Sequence, residues 1–214
     1  MKFVAISDTH CRHNNLTLPK GDVLVHAGDI SYKGQKSEVE DFLKWFSKLK
    51  FEYKIFIAGN HDFLFENSKP KEIQALIPEN VIYLNDSGLN INGINIWGSP
   101  ITPWFFNWAF NRKRGIQIAK HWELIPQDTD LLITHGPVHG IHDSVINGIH
   151  VGCKDLEVKV KEIRPQVHVC GHIHEAYGSI RREGIRYINA CVLNERYELV
   201  QKPVAFELNK KDGI

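Results

Sequence analysis

The stretch Lys54-Ile55-Phe56-Ile57-Ala58-Gly59-Asn60-His61-Asp62 decides the fold. Its first five residues form a short apolar run, the pattern of a buried strand. A glycine, an amide, an imidazole and a carboxylate then stand where strand gives way to loop. In open α/β sheets, ligands bind at those strand ends. Other polar clusters follow apolar runs in the same way: Asp8-Thr9-His10, Gly28-Asp29, Thr134-His135-Gly136-Pro137 and Gly171-His172-Ile173-His174, with Asn189 after a later strand.

Working outward, the periodicity predicts strands over Lys2–Ile6, Asp22–His26 and Lys54–Ala58. A helix is expected from Ser37 to about Leu49, with Ser37 as N-cap and Glu40 completing a capping box. Val39, Phe42, Leu43, Phe46 and Leu49 give it one apolar face. Pro70–Leu76 reads as a short helix with proline in its first turn. Short strands follow at Val81–Leu84, Gly88–Ile91 and Ile94–Trp97, with Asn92-Gly93 as a hairpin turn. Helices are expected over Gly115–Leu124 and Lys154–Ile163, and strands over Asp130–Thr134, Gln166–Cys170, Ala176–Arg181, Gly184–Asn189 and Val204–Leu208. Strand–helix alternation that turns to antiparallel hairpins predicts a single α/β domain over 1–214, with two mixed β-sheets packed together and helices outside.

Two segments read as loops. His139–Cys153 is rich in glycine and histidine. Ser99–Arg114 carries Pro100, Pro103, Trp104, Phe105, Phe106, Trp108 and Phe110 beside Arg112, Lys113 and Arg114. Its aromatics are expected mostly to be buried over the core. A sharper reading makes part of it an active-site wall, with an aromatic for a base and an arginine for a phosphate. The run Trp104–Phe110 would serve a homodimer contact as readily.

The chain has 214 residues, 43% hydrophobic and 24% charged, with a formal net charge of +1. That suits a soluble globular domain and gives no basic track for long nucleic acid. Its 12 histidines crowd near the expected strand ends, which favours metal over surface chemistry. Cys11, Cys153, Cys170 and Cys191 make no CxxC pair and read as free thiols of a reducing compartment. The apolar start, Met1 to Ile6, is too short for a signal peptide, and no run approaches the ~20 apolar residues of a membrane span. These readings predict a cytoplasmic protein.

A pair of divalent ions needs a bridging anion between like charges, and imidazole, carboxylate or amide ligands at each end. Asp29, behind a glycine, suits the bridge. In Asp8-x-His10, residues two apart on an extended segment point to one side, and His172-x-His174 repeats the spacing; Thr9 and Ile173 face away. Any one of these residues alone reads as a turn or cap. Taken together, Asp8, His10, Asp29, Asn60, His135, His172 and His174 call for a shared purpose. Asp22 and Asp86 read as turn residues, and His26 as a satisfied core histidine.

The order D-x-H, G-D, G-N-H-[D/E], H-G and G-H-x-H, from Asp8 to His174, resembles the calcineurin-like metallophosphoesterase superfamily. The segments Gly21–Asp29, Glu52–Ile55, Thr102–Trp104, Val151–Cys153 and Gly171–Glu175 are similar to its metallophosphoesterase-domain subgroup, related to class III cyclic nucleotide phosphodiesterases. The phosphatase branch fits poorly, because Asp29 is followed by Ile30-Ser31-Tyr32-Lys33-Gly34 where that branch carries GDxxDRG.

The resemblance implies the fold as a four-layer sandwich and assigns ligands. One ion would take Asp8, His10, Asp29 and His174, the other Asp29, Asn60, His135 and His172. His61 would stand off the metals as the acid for the leaving oxygen, and Asp62 would support its loop. Mn is the first choice of metal, with Fe, Zn, Ni and Co also suited. The implied activity is hydrolysis of a small phosphodiester, a cyclic nucleotide first, by in-line attack of a bridging hydroxide. A broad phosphomonoesterase or nuclease is the alternative within enzymes. The alternative outside them is a non-catalytic scaffold, which the complete ligand set disfavours. Cys11 is expected to point away from the metals.

Overall fold

The computed structural model describes residues 1–210; the last four residues of the domain expected over 1–214 lie outside the described residues. In chain order come β1 (Lys2–Ile6), β2 (Val23–Ala27), α1 (Lys36–Lys48), β3 (Tyr53–Ile57), α2 (Phe63–Asn67), α3 (Pro70–Leu76) and β4 (Ile82–Tyr83). The hairpin β5 (Ser87–Ile91) and β6 (Ile94–Ser99) follows, then β7 (Thr102–Pro103), β8 (Asn111–Arg112), α4 (Ile116–Trp122), β9 (Leu131–Thr134) and α5 (Lys154–Ile163). The chain continues through β10 (Val167–Cys170), β11 (Gly178–Arg182), β12 (Ile185–Asn189) and β13 (Val204–Glu207).

Two mixed sheets result. One has the order β13-β1-β2-β3-β4, parallel except where β13 runs against β1. The other has the order β11-β12-β10-β9-β6-β5, with its four central strands parallel and β11 and β5 antiparallel at the edges. Side chains alternate across each strand. Val23, Val25, Ile55 and Ile57 of the first sheet share one core with Ile96, Leu131, Ile133, Val169 and Ile188 of the second. Val4, Leu24 and Phe56 belong to a different core that takes in Val39, Phe42 and Phe46 of α1. On the second sheet, Leu132 and Tyr187 belong to that outer core with Ile118 and Trp122 of α4 and Leu156 and Val160 of α5. The central strands are therefore buried on both faces, which is why they read as continuous apolar runs. Phe42 is fully buried and stacks on Phe46 at 5.0 Å; truncating such a ring costs about 3–5 kcal/mol.

Three details depart from the sequence reading. The α1 cap lies at Gln35, two residues before Ser37, and Glu38 replaces Glu40, its Oε2 accepting from Gln35 N at 3.0 Å and Lys33 N at 2.9 Å. Gly34, at φ 68°, turns the chain just before, so Ser37 is already inside the first turn. The helix α2 was not expected from a five-residue segment directly after the polar motif. The loop 99–114 is partly ordered as a two-stranded parallel ladder of β7 and β8. Of its rings, Phe110 is buried, while Trp104 and Phe106 are 54% and 75% exposed. The stretch 139–153 is pinned by Asp143, which accepts from Gly140 N, Gly152 N and His150 Nδ1.

Candidate metal centre

The loops after β1, β2, β3, β9 and β10 are fastened to one another at one edge of the two sheets. Asp8 N donates to Gly28 O, His10 N to Asp29 O, His61 N to an Asp29 carboxylate oxygen, and Gly171 N to His135 O. Ser7 bridges Cys191, joining the two sheets where they meet the site. Close approach sets the residue types. A Cβ on Gly28, at φ 100°, would enter the His135 ring, and one on Gly171 would collide with the Asp8 carboxylate.

The expected extended geometry of Asp8-x-His10 is not what brings these groups together. Asp8, His10 and Cys11 have φ of 56°, 39° and 65°, and Asp29 and His172 also lie in the left-handed region, at 56° and 70°. Such backbone costs roughly 1–3 kcal/mol per residue and clusters where function over-determines it. His172 and His174 likewise do not share one side. His174 opens a 3-10 turn and brings Nε2 to 3.4 Å from Asp8 Oδ1, whereas His172 groups with Asp29 and His135. Thr9 faces away as expected, meeting His26 Nε2 at 2.9 Å.

The imidazoles are oriented by backbone carbonyls. Nδ1 of His10 meets Ser31 O at 3.1 Å, His135 meets Ala27 O at 2.9 Å, and His174 meets Asn194 O at 2.9 Å. A carbonyl only accepts, so each Nδ1 carries the hydrogen and each neutral ring turns an Nε2 lone pair inward. Those lone pairs face other acceptors. His10 Nε2 lies 3.7 Å and His135 Nε2 3.3 Å from the same oxygen, Asp29 Oδ2. His135 Nε2 is also 2.9 Å from Asn60 Oδ1, and buried His10 Nε2 has no hydrogen-bond partner among the described residues. With the rings neutral these are acceptors aimed at acceptors, a conflict that a proton on Nε2 or a cation between them resolves.

The electrostatics agree. Burial opposes ionisation of Asp8 and Asp29, yet the surrounding imidazoles, His174 first for Asp8 and His135 first for Asp29, hold both carboxyls well below the usual range. Burial also opposes charge on His135 and His174, but Asp29 and Asp8 respectively raise them to about 9. Burial lowers His10 to about 4 and His172 to about 3, so both rings are neutral lone-pair donors at pH 7. The cluster favours positive charge at its centre, and divalent ions supply it without protons. The donor set of imidazole, carboxylate and one amide oxygen fits first-row divalent ions. Ligand atoms of Asp29, His135 and His172 lie within 4.8 Å of one another, as do those of Asp8, His174 and Cys191.

His61 is brought to the same place. Its Nδ1 meets Tyr32 O at 2.8 Å, and its ring lies 4.6 Å from His10 and 4.4 Å from Trp108. It also falls within 4.8 Å of His10 and Asp29 by ligand atoms, so proximity alone does not separate it from the ligands. Asp62 holds two loops together, accepting from Gly59 N at 2.8 Å, Ile30 N at 3.2 Å and Ser31 N at 2.9 Å, and from Ser31 Oγ.

Asn189 does not join the cluster. Its Nδ2 donates to Ile173 O at 2.8 Å, bracing the loop that carries His172 and His174. His26 is a core histidine but only half satisfied, since its Nδ1 has no hydrogen-bond partner among the described residues. Asp22 caps Lys2 N, whereas Asp86 does more than turn the chain, pairing with His121 at 2.6 Å and accepting from Ser99 Oγ. The arginine expected for a phosphate is otherwise engaged. Arg112 pairs with Glu66 at 2.9 Å, and Arg114 donates to Val151 O and Gly152 O. Among the described residues Cys11 joins no candidate metal group, although its segment is not extended.

Sequence reasoning missed Cys191, Tyr32 and Tyr197, and carried Trp108 only as one ring of the 99–114 segment. Tyr197 lies 5.0 Å from both His10 and His174. Cys191 had a signal in its place two residues after Asn189 at a strand end. The carbonyls of Ala27, Ser31, Tyr32 and Asn194 had none, because every residue carries one.

Known proteins resemble this chain in sequence and in fold. The family profile described as calcineurin-like phosphoesterase matches residues 1–176. The chain is 40% identical over 231 aligned positions to metallophosphoesterase domain-containing protein 1 of Homo sapiens, covering 97% of this chain and 71% of that one. It is 39% identical to a UPF0046 protein of Caenorhabditis elegans, covering 97% of this chain and 60% of that one. Among solved structures, one chain superposes with a TM-score of 0.66 at 16% identity, over 88% of this chain and 89% of its own. GAP50, the anchor in the inner membrane complex of Plasmodium, superposes at 0.52 and 10% identity, over 96% and 80%. At those identities the likeness is one of fold. No helix among the described residues is long and apolar enough to cross a membrane.

Proposed function

The chain belongs to the calcineurin-like phosphoesterase family, whose chemistry is metal-dependent phosphoester hydrolysis, and on that premise we propose that it is a phosphodiesterase for a small diester, cyclic nucleotides first. The observation that carries the reading is the set of Nδ1–carbonyl bonds that aims His10, His135 and His174 Nε2 at two buried carboxylates. Asp8, His10, Asp29 and His174 would hold one divalent ion. Asp29, Asn60, His135 and His172 would hold the other, with Mn as first choice. When bound, such ions lower the pKa of water to supply the nucleophile and offset charge on the phosphoryl oxygens.

The chain's own groups do the rest. Asp29 is approached through one oxygen by both His10 and His135, which suits a shared ligand. His61 keeps its Nδ1 hydrogen on Tyr32 O, so Nε2 is the atom that takes up a proton and gives it to the leaving oxygen. Asp62 fixes the Asp29 loop against the His61 loop, setting the distance between acid and cluster. The free thiols, of which Cys153, Cys170 and Cys191 are buried, support a reducing, cytoplasmic setting.

The test is a hydrolysis screen with Mn²⁺, with and without chelator. It compares 2′,3′- and 3′,5′-cyclic nucleotides, an aryl diester and the matching monoester. Chelator-sensitive turnover of diesters above the monoester is expected. Turnover of the monoester alone would replace the reading with a phosphomonoesterase, and no turnover with metal bound would sink it.

A further inference from the structure

Next to the cluster lies a cavity of about 260 Å³ with mostly apolar walls. Trp104, Phe105, Pro137, Val145, Val151 and His172 line it. His172 belongs to both places: its ring lies 5.0 Å from His135 on one side and 5.3 Å from Phe105 on the other. A substituent on a phosphorus held at the cluster is therefore one imidazole away from the cavity.

The walls say what kind of group fits. The charged side chain in the lining, Arg114, donates Nη1 to Gly152 O at 2.9 Å and Nη2 to Val151 O at 2.7 Å. It thereby fastens the wall instead of presenting a fork to an anion. Trp104 is anchored through its backbone, N to Arg112 O at 2.8 Å, while its side chain remains largely exposed at the cavity. Pockets that enclose a drug-sized ligand run to about 300–1,000 Å³, so this one suits a single ring system. Apolar and aromatic walls hold a flat ring by stacking and burial, with little reading of its polar edge.

The cavity also lies apart from the acid. His61 packs on His10 and Trp108, neither of which lines the cavity, whereas His172 packs on His135. A leaving oxygen at His61 and a ring in the cavity would thus sit against different imidazoles around Asp29. We propose that this cavity is the specificity pocket for the ester group that stays on phosphorus, and that it takes a flat aromatic or heteroaromatic ring. The proposal rests on the phosphodiesterase reading and adds the substrate's recognised part.

Two diesters test it. Both carry p-nitrophenyl as leaving group; one keeps a methyl ester and the other a phenyl ester. In each, water adds to phosphorus, the P–O bond to p-nitrophenyl breaks, and p-nitrophenolate leaves with a monoester as the other product. With Mn²⁺ and after correction for uncatalysed rates, the phenyl ester should have a kcat/KM at least about tenfold higher, mostly through KM. Trp104→Ala removes one wall and Val145→Phe fills the space, and each should bring the phenyl-to-methyl ratio close to one. The ratio cancels any shared effect on the metal centre. A wild-type ratio near one, or a ratio unchanged in both variants, overturns the proposal. If neither diester is hydrolysed, the phosphodiesterase reading has failed on its own, and the pocket is read by tryptophan fluorescence quenching with phenylphosphonate against methylphosphonate. Tighter binding of the phenyl compound, lost in Val145→Phe, then upholds the pocket, and equal binding overturns it.

Discussion

The Cys191 thiol lies 3.0 Å from Oδ2 of Asp8, the oxygen that also takes His172 N–H at 3.0 Å, while His174 Nε2 approaches the other oxygen, Oδ1. Burial and the Asp8 charge raise Cys191 well above the usual thiol range, so it is a hydrogen-bond donor at neutral pH. His172 N–H also reaches Oδ1, at 3.1 Å, so the thiol is the donor that Oδ2 alone receives. Partners of this kind tune metal sites by about 10–100-fold in affinity. Cys191→Ala should weaken Mn²⁺ binding by about tenfold in calorimetric titration, and Cys191→Ser, which keeps a donor, should restore most of it. Equal affinities in all three proteins would reduce the thiol to packing.

Gly171→Ala tests the same carboxylate from its other neighbour. The added Cβ would collide with Asp8 Oδ2 and with Ser7 Oγ. Loss of at least one bound ion per chain is expected by elemental analysis, whereas Gly148→Ala, where a Cβ meets open space at φ 79°, should keep both.

Metal binding should be visible in stability. An ion at 100 times its Kd adds about 2.7 kcal/mol, worth roughly 5–10 °C in Tm for a chain of this size. Titrating Mn²⁺ into chelated protein should raise Tm by that order and saturate at two ions per chain. Asp29→Ala should abolish the shift, since both His10 and His135 turn to Asp29 Oδ2. His135→Ala should leave one ion.

His61→Ala should keep both ions and lose about 10²–10⁴-fold in kcat on a diester with a poor leaving group. The deficit should shrink for p-nitrophenolate, which needs no proton to depart. Loss of an ion in this variant would make His61 a ligand, which its proximity to His10 and Asp29 permits.

His168 gives a pH signature away from the centre. Burial lowers it to about 3, and its Nε2 meets Thr134 Oγ1 at 2.8 Å. The folded pKa lies below the unfolded 6.5, so the unfolded chain binds the proton first. Stability is fully present above 6.5 and is lost as pH falls toward 3, by up to about 1.4 kcal/mol per pH unit. Urea unfolding at pH 7 and pH 5 should show His168→Gln with a shallower loss than wild type; an equal loss in both would remove His168 as a source.

The layered α/β fold and the edge at which the chemistry gathers follow from the order of apolar and polar residues along the chain. Strands buried on both faces must be apolar throughout, and a polar residue directly after one has few places to be. That logic placed Asp8, Asp29, Asn60, His135, His172 and His174 at one edge, while the loop-supporting role of Asp62 came from the family resemblance. Tertiary structure decided the orientation of each ring. His10, His61, His135 and His174 are aimed by carbonyls that no residue type encodes, and Asp8 is held by a thiol 183 residues away. The left-handed turns at Asp8, His10 and His172 replaced the extended geometry that spacing suggested, because only contacts between loops of both sheets offset their local cost. The cavity beside His172 arises where the 99–114 and 139–153 segments meet, a contact between distant stretches that periodicity does not carry.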